Sequence, residues 1–141
     1  VQNNINLEKK FGLHKFKTYK RFANKVSNSR KKLNKIFDKI KSENKKVIGY
    51  GATAKSCTVL NYCKIGSKKI DFFYDTTSYK IGKFLPGSKI KIKKYKKLTK
   101  KDADYVFLGA WNFKDEIFKK EKKFIKKGGK FIIHTPYPKI L

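Results

Sequence analysis

The chain has 141 residues, 39% hydrophobic and 15% aromatic, enough to bury the core of one domain but short for two. Its 38 Lys and Arg against 10 Asp and Glu give a formal net charge of +28, yet only Arg21 and Arg30 are arginines and the lysines run through every segment. Base-edge and bidentate phosphate readers favour arginine, so the charge is read as a solvated lysine surface and nucleic acid is not expected as a partner.

No run reaches the ~18 apolar residues of a membrane span, and Val1-Gln2-Asn3-Asn4 lacks the shape of a signal peptide, so a soluble, cytoplasmic protein without a membrane partner is expected. A chain that starts at Val1 and contains no Met is expected to be part of a longer protein. Cys57 and Cys63 stand about 9 Å apart along one predicted helix, too far for a disulfide and wrongly spaced for a zinc knuckle. Reduced thiols and no metal site follow.

In chain order, residues 1–14 are polar and interrupted by Gly12, which predicts a lead-in with a helical turn near 8–11. Phe16, Tyr19, Phe22, Ala23, Val26, Leu33, Ile36, Phe37 and Ile40 then recur at three- and four-residue steps. That spacing predicts one long amphipathic helix over 16–42, with the following sheet as the partner for its apolar face and a bend at Asn28-Ser29. Residues 1–45 thus form a lead-in and helix, and 46–141 an α/β core.

The core begins with Val47-Ile48-Gly49-Tyr50-Gly51-Ala52-Thr53-Ala54-Lys55, a buried strand, a glycine turn and the start of a helix over 54–63 that ends near a Gly66 cap. Gly49, Gly51 and Ala54 fit G-x-G-x-x-A, the pattern that lets backbone approach a ligand and helix pack on strand. A strand over 70–74 follows, closed by Asp75 about where a dinucleotide-binding unit places its ribose contact. Gly82, Pro86 and Gly87 punctuate a long polar connection carrying Tyr79, Lys80 and Lys83, with a short strand piece at 90–92.

Residues 105–110 read as another strand, and Asn112 as N-cap of a helix, with Asp115 reaching back to it. That helix runs to Lys126-Lys127 and stops at Gly128-Gly129, one of which should be left-handed. Residues 131–133 form the last strand, since Pro136 and Pro138 interrupt any further ladder. The fold class is α/β: a Rossmann-like three-layer domain with a mostly parallel sheet, preceded by the long N-terminal helix.

Open parallel sheets place their crevices beyond the carboxyl ends of the strands. There Gly51, Ala52 and Thr53 offer backbone N–H groups, Lys55 and Lys80 offer charge for a diphosphate, Asn112 offers an amide, and Trp111 a stacking surface. With Gly49, Tyr50, Ala54 and Asp75 these form the expected substrate-binding set. No residue reads as catalytic, because His14 and His134 have no carboxylate or cysteine near them in sequence.

A wider set of residues carries a resemblance. Gly49-Tyr50-Gly51-Ala52, Ala54-Lys55, Thr58, Leu60-Asn61-Tyr62, Lys80-Ile81-Gly82, Leu85-Pro86-Gly87, Ala110-Trp111-Asn112-Phe113, Glu116-Ile117 and Gly128-Gly129-Lys130-Phe131-Ile132 together resemble the C-terminal domain of sugar C-methyltransferases, from about residue 8 to 141. Thr53 departs from the proline, and Ser56-Cys57 from the Gly-Asn, common in that family. The resemblance implies a three-part enzyme: a zinc-binding N-terminal domain, a middle S-adenosylmethionine domain, and this domain closing over a nucleotide-diphosphate sugar. It implies that a base removes a proton beside the 4-keto group of a deoxysugar and that the enolate takes the methyl. The base, the S-adenosylmethionine site and the zinc would lie outside this domain, which has no cofactor of its own and alone would be inactive; its partner would be the catalytic domain of the same chain.

Two other readings stay open. Gly49, Gly51, Ala54 and Asp75 would also suit a free-standing NAD(P)-binding domain, and the charge a basic nucleic-acid-binding module.

Overall fold

A computed structural model describes all 141 residues. Helix α1 (Gln2–Lys10) and the 27-residue α2 (Phe16–Ser42) precede β1 (Val47–Tyr50), α3 (Ala54–Cys63), β2 (Phe73–Asp75), β3 (Ile92–Lys94) and β4 (Tyr105–Leu108). Helices α4 (Lys114–Lys120) and α5 (Lys122–Lys126) then lead to β5 (Lys130–Ile133) and β6 (Lys139–Ile140). The strands form one sheet in the order β3-β2-β1-β4-β5-β6, parallel except for β6. This is the three-layer α/β fold that the sequence implies, with its reversal of strand order between β1 and β4.

Side chains alternate across the sheet with period two. Val47, Phe73, Phe107 and Ile132 face α2 and α3, where Leu33, Phe37, Ile40 and Leu60 cover them. Ile48, Val106, Phe131 and Ile133 face the other way, under Ile117 of α4 and Phe124 of α5. Gly49 sits opposite Phe73 in the ladder, and a Cβ there would fall 2.3 Å from the Phe73 ring. Its missing side chain makes room for core packing inside the strand.

Helix α2 has the bounds that its periodicity predicts and runs without a break past Asn28-Ser29. Its partner covers only half of it. Leu33, Phe37 and Ile40 are buried, but Phe16, Tyr19 and Phe22 are 80%, 53% and 66% exposed, because the sheet ends before it reaches them. The lead-in is a full helix, α1, not a single turn, and buries no residue.

Other expectations need correction. Lys64, not Gly66, takes the left-handed position after α3, with the Ile65 N–H reaching back to the Leu60 carbonyl. Strand β2 starts at Phe73, after the apolar Ile70, β3 lies at Ile92–Lys94, after an isolated bridge between Phe84 and Lys91, and β4 ends at Leu108. The tail does rejoin the ladder: beyond the prolines, Lys139 and Ile140 pair with Ile133 and Ile132. The helix expected from Asn112 is two helices that start later. Phe113 precedes α4 without a side-chain cap, Asp115 pairs with Lys114 at 3.5 Å, and the chain breaks step at Glu121.

Glu121 explains that break. It is fully buried and its carboxylate accepts the Tyr95 hydroxyl at 2.6 Å and the Leu98 N–H at 3.1 Å, pinning the connection after β3 to the helical layer.

Candidate functional site

The turn that leaves β1 is built from four side chains and one glycine. Gly51 has φ +82, a conformation that disfavours any side chain, and an added Cβ would meet Ala110 Cβ at 2.5 Å, so the turns after β1 and β4 cross in close contact. Thr53 caps α3. Its hydroxyl accepts the Ser56 N–H at 3.1 Å, Ser56 Oγ accepts the Thr53 N–H at 3.3 Å, and the Ser56 hydroxyl donates to the Gly51 carbonyl at 2.9 Å.

Asp75, at the end of β2, braces the same turn. Its Oδ2 accepts the Ala52 N–H at 2.7 Å, its Oδ1 accepts the Thr77 N–H at 2.8 Å, and Lys80 Nζ lies 3.7 Å from Oδ2 while donating to the Ala52 carbonyl at 3.0 Å. Burial alone would raise the Asp75 pKa, but these hydrogen bonds and the Lys80 charge together hold it below the usual carboxylate range. Both oxygens accept backbone N–H groups, so Asp75 braces the turn from the wall of the cleft.

The donors expected to face a ligand are redistributed by this bracing. Gly51 N–H goes to the Tyr74 carbonyl, Ala52 N–H to Asp75, and Thr53 N–H to the Gly51 carbonyl and Ser56. The Ala54 and Lys55 N–H groups, in the first turn of α3, keep no protein acceptor.

Beyond the carboxyl ends of the strands opens a cleft of about 360 Å³. Of the expected residues, Tyr50, Gly51, Thr53, Asp75 and Lys80 line it; Tyr79 and Lys83 do not. Lys55, Trp111 and Asn112 form a second group on its flank, where Lys55 Nζ donates to Asn112 Oδ1 at 2.9 Å and lies 5.1 Å from the Trp111 ring centroid. Ala52 is buried in the turn, Ala54 is exposed on α3, and Gly49 lies inside β1 under Phe73.

Much of the cleft carries no local sequence signal. Tyr74 and Tyr95 line it with Tyr50, their rings 5.5 Å (Tyr50 to Tyr95) and 6.3 Å (Tyr74 to Tyr95) apart. Lys120 stands 3.8 Å over the Tyr95 ring, and Glu116, Ile117 and Phe113 complete the far wall. Burial first, then the Glu121 charge, pushes the Tyr50 phenol up to about 12, and burial with the Glu121 hydrogen bond raises Tyr95 further. Both phenols stay protonated donors at neutral pH. The cleft thus offers an aromatic wall, hydroxyls, and two lysines at its rim, an arrangement for holding a polar, anionic ligand with a planar or ring-shaped part.

Residues 1–136 match the family model of the C-methyltransferase C-terminal domain. The chain belongs to that family. It is also 36% identical over 134 residues to the C-methyltransferase NovU of Streptomyces niveus, an alignment that covers 95% of this chain and 32% of NovU. The chain therefore spans about a third of that relative's length. No helix of this family member is long and apolar enough to cross a membrane, no three His, Cys, Asp or Glu residues cluster as metal ligands would, and Cys57 and Cys63 are free thiols.

Proposed function

We propose that this domain serves a S-adenosylmethionine-dependent sugar C-methyltransferase by holding a nucleotide-diphosphate sugar at its interface with the catalytic domain. The observation that carries the reading is the cleft at the reversal of strand order, lined by Tyr50, Tyr74, Tyr95 and Lys80, with Lys120 over Tyr95. The tyrosine rings take the planar base or the sugar face, and the Tyr50 and Tyr74 hydroxyls donate to its oxygens, while the Tyr95 hydroxyl is spent on Glu121. The diphosphate lies toward Thr53, against the unused Ala54 and Lys55 N–H groups and the Lys80 ammonium.

The methyl donor and the zinc belong to other domains of the enzyme, and this chain contributes no group to either. Its work is positioning: a ligand held at a fixed distance from a reacting group meets it as an intramolecular partner. The half of α2 that the sheet leaves bare, with Phe16, Tyr19 and Phe22, is the docking surface for the catalytic domain. Alone, the domain does not transfer a methyl group.

Hydrogen exchange on the complete methyltransferase tests this reading. Addition of the nucleotide sugar should slow exchange at residues 50–56, 76–80 and 95–98, while S-adenosylmethionine alone should not. Unchanged exchange in all three segments at saturating sugar nucleotide would remove the assignment.

A further inference from the structure

A second cavity, of about 330 Å³, lies between α2, α3 and the residues after β5, and the crevice does not use it. Val26, Leu33, Val59 and Tyr62 make its walls apolar, and Lys25, Arg30 and His134 supply its nitrogen groups. Arg30 is one of two arginines in a chain of 38 Lys and Arg. Its half-buried guanidinium lies 5.3 Å from the Tyr62 ring centroid and pairs with no carboxylate; the ion pairs of this chain belong to Lys69, Lys80, Lys100 and Lys114.

His134 adds an independent observation. It is 7% exposed and stacked on Phe107 at 5.4 Å, with Nδ1 2.9 Å from Thr135 Oγ1, yet its buried Nε2 has no hydrogen-bond partner. When the Thr135 hydroxyl donates to Nδ1, the neutral ring carries its proton on Nε2 and presents a donor. Such a buried donor is rarely left unmatched.

We infer that this cavity binds a small amphiphilic carboxylate, its apolar body held by Val26, Leu33, Val59 and Tyr62 and its carboxylate by Arg30 and the Nε2–H of His134. An apolar cavity of about 150 Å³ already holds benzene, so this one admits a medium-length alkyl or an aryl body. Half-buried Arg30 supplies a fork that matches a carboxylate, and exposed Lys25 adds charge at the mouth. This site is separate from the strand-end cleft and does not depend on what that cleft binds.

The chain has only two histidines, and His14 is exposed, which makes ring-nitrogen NMR of the ¹⁵N-histidine-labelled protein a direct reading. Decanoate should shift the His134 nitrogens in a saturable, one-to-one manner and leave those of His14 in place. Uncharged decanol should bind about tenfold more weakly or worse, and Arg30→Gln should weaken decanoate by a similar factor. Unaltered His134 signals in the ligand-free variant show that it is folded, and the decanoate and decanol comparison stands on the unmodified protein alone. The inference falls if decanoate leaves His134 unmoved, if decanol binds as tightly, or if folded Arg30→Gln binds decanoate unchanged.

Discussion

The carboxylate of Asp75 accepts the backbone N–H of Ala52 at 2.7 Å, so the last residue of β2 holds the turn that leaves β1. Asp75→Ala should strand the buried Ala52 N–H and the half-buried Thr77 N–H and destabilise the fold by ~2 to 4 kcal/mol, while Asp75→Asn, which keeps an acceptor, should cost less. Urea unfolding of the two variants checks the order. Equal and small losses would show that the strut is dispensable.

Thr53 and Ser56 are hydrogen-bonded partners across the first turn of α3. Thr53→Ala should cost about 1 kcal/mol, as loss of an N-cap does. Because each hydroxyl serves the other, Thr53→Ala with Ser56→Ala should cost less than the sum of the single changes. Additive melts would mean that the two act independently.

At the other end of the core, Gly128 and Gly129 separate two kinds of glycine requirement. Gly128 has φ +81 in open space, so Gly128→Ala should cost ~1 to 2 kcal/mol from backbone strain alone. Gly129 has no such strain, but a Cβ there would sit 2.3 Å from the buried Phe124 ring. Gly129→Ala should therefore lose more, about 2 to 3 kcal/mol of overpacking. Thermal melts showing Gly128→Ala as the worse variant would contradict this assignment.

Acid should weaken the fold in two windows. Burial depresses His134 to about 4 from an unfolded value near 6.5, so the unfolded chain binds its proton first. The stability tied to neutral His134 is fully present above pH 6.5 and is lost as the pH falls toward 4, roughly 3 kcal/mol in all. Asp75, held low, adds its loss only below about pH 4, as its carboxylate takes up a proton. His134→Phe, which keeps a ring over Phe107, should flatten the melting temperature between pH 6.5 and 4; an unchanged slope would place the titration elsewhere.

The helix α2 and the β1-turn-α3 unit were legible because their signals are local: a three- and four-residue stripe over 16–42, and two glycines between an apolar run and a helix. Tyr95 and Glu121 were not. Tyr95 precedes Lys96-Lys97 and Glu121 lies among lysines, so both read as surface, and only the fold reveals that their side chains meet at 2.6 Å beneath the cleft. Nor does periodicity tell how far a partner extends along a helix. Phe16 and Phe37 belong to one apolar face, yet the first is 80% exposed and the second 1%. Asn112 likewise has the composition of a cap, but its amide oxygen is taken by Lys55.

Binding of the nucleotide sugar in the cleft at the ends of β1 and β4 is read most cleanly at Lys120, whose ammonium touches the Tyr95 face and forms no ion pair. Steady-state kinetics of the complete methyltransferase should be measured for Lys120→Ala and Lys80→Ala, with melting temperatures confirming that each variant is folded. Each should raise KM for the nucleotide sugar about tenfold or more, as loss of a charge-assisted contact would, with KM for S-adenosylmethionine nearly unchanged. Folded variants whose KM for the sugar nucleotide is unaltered would show that it binds elsewhere.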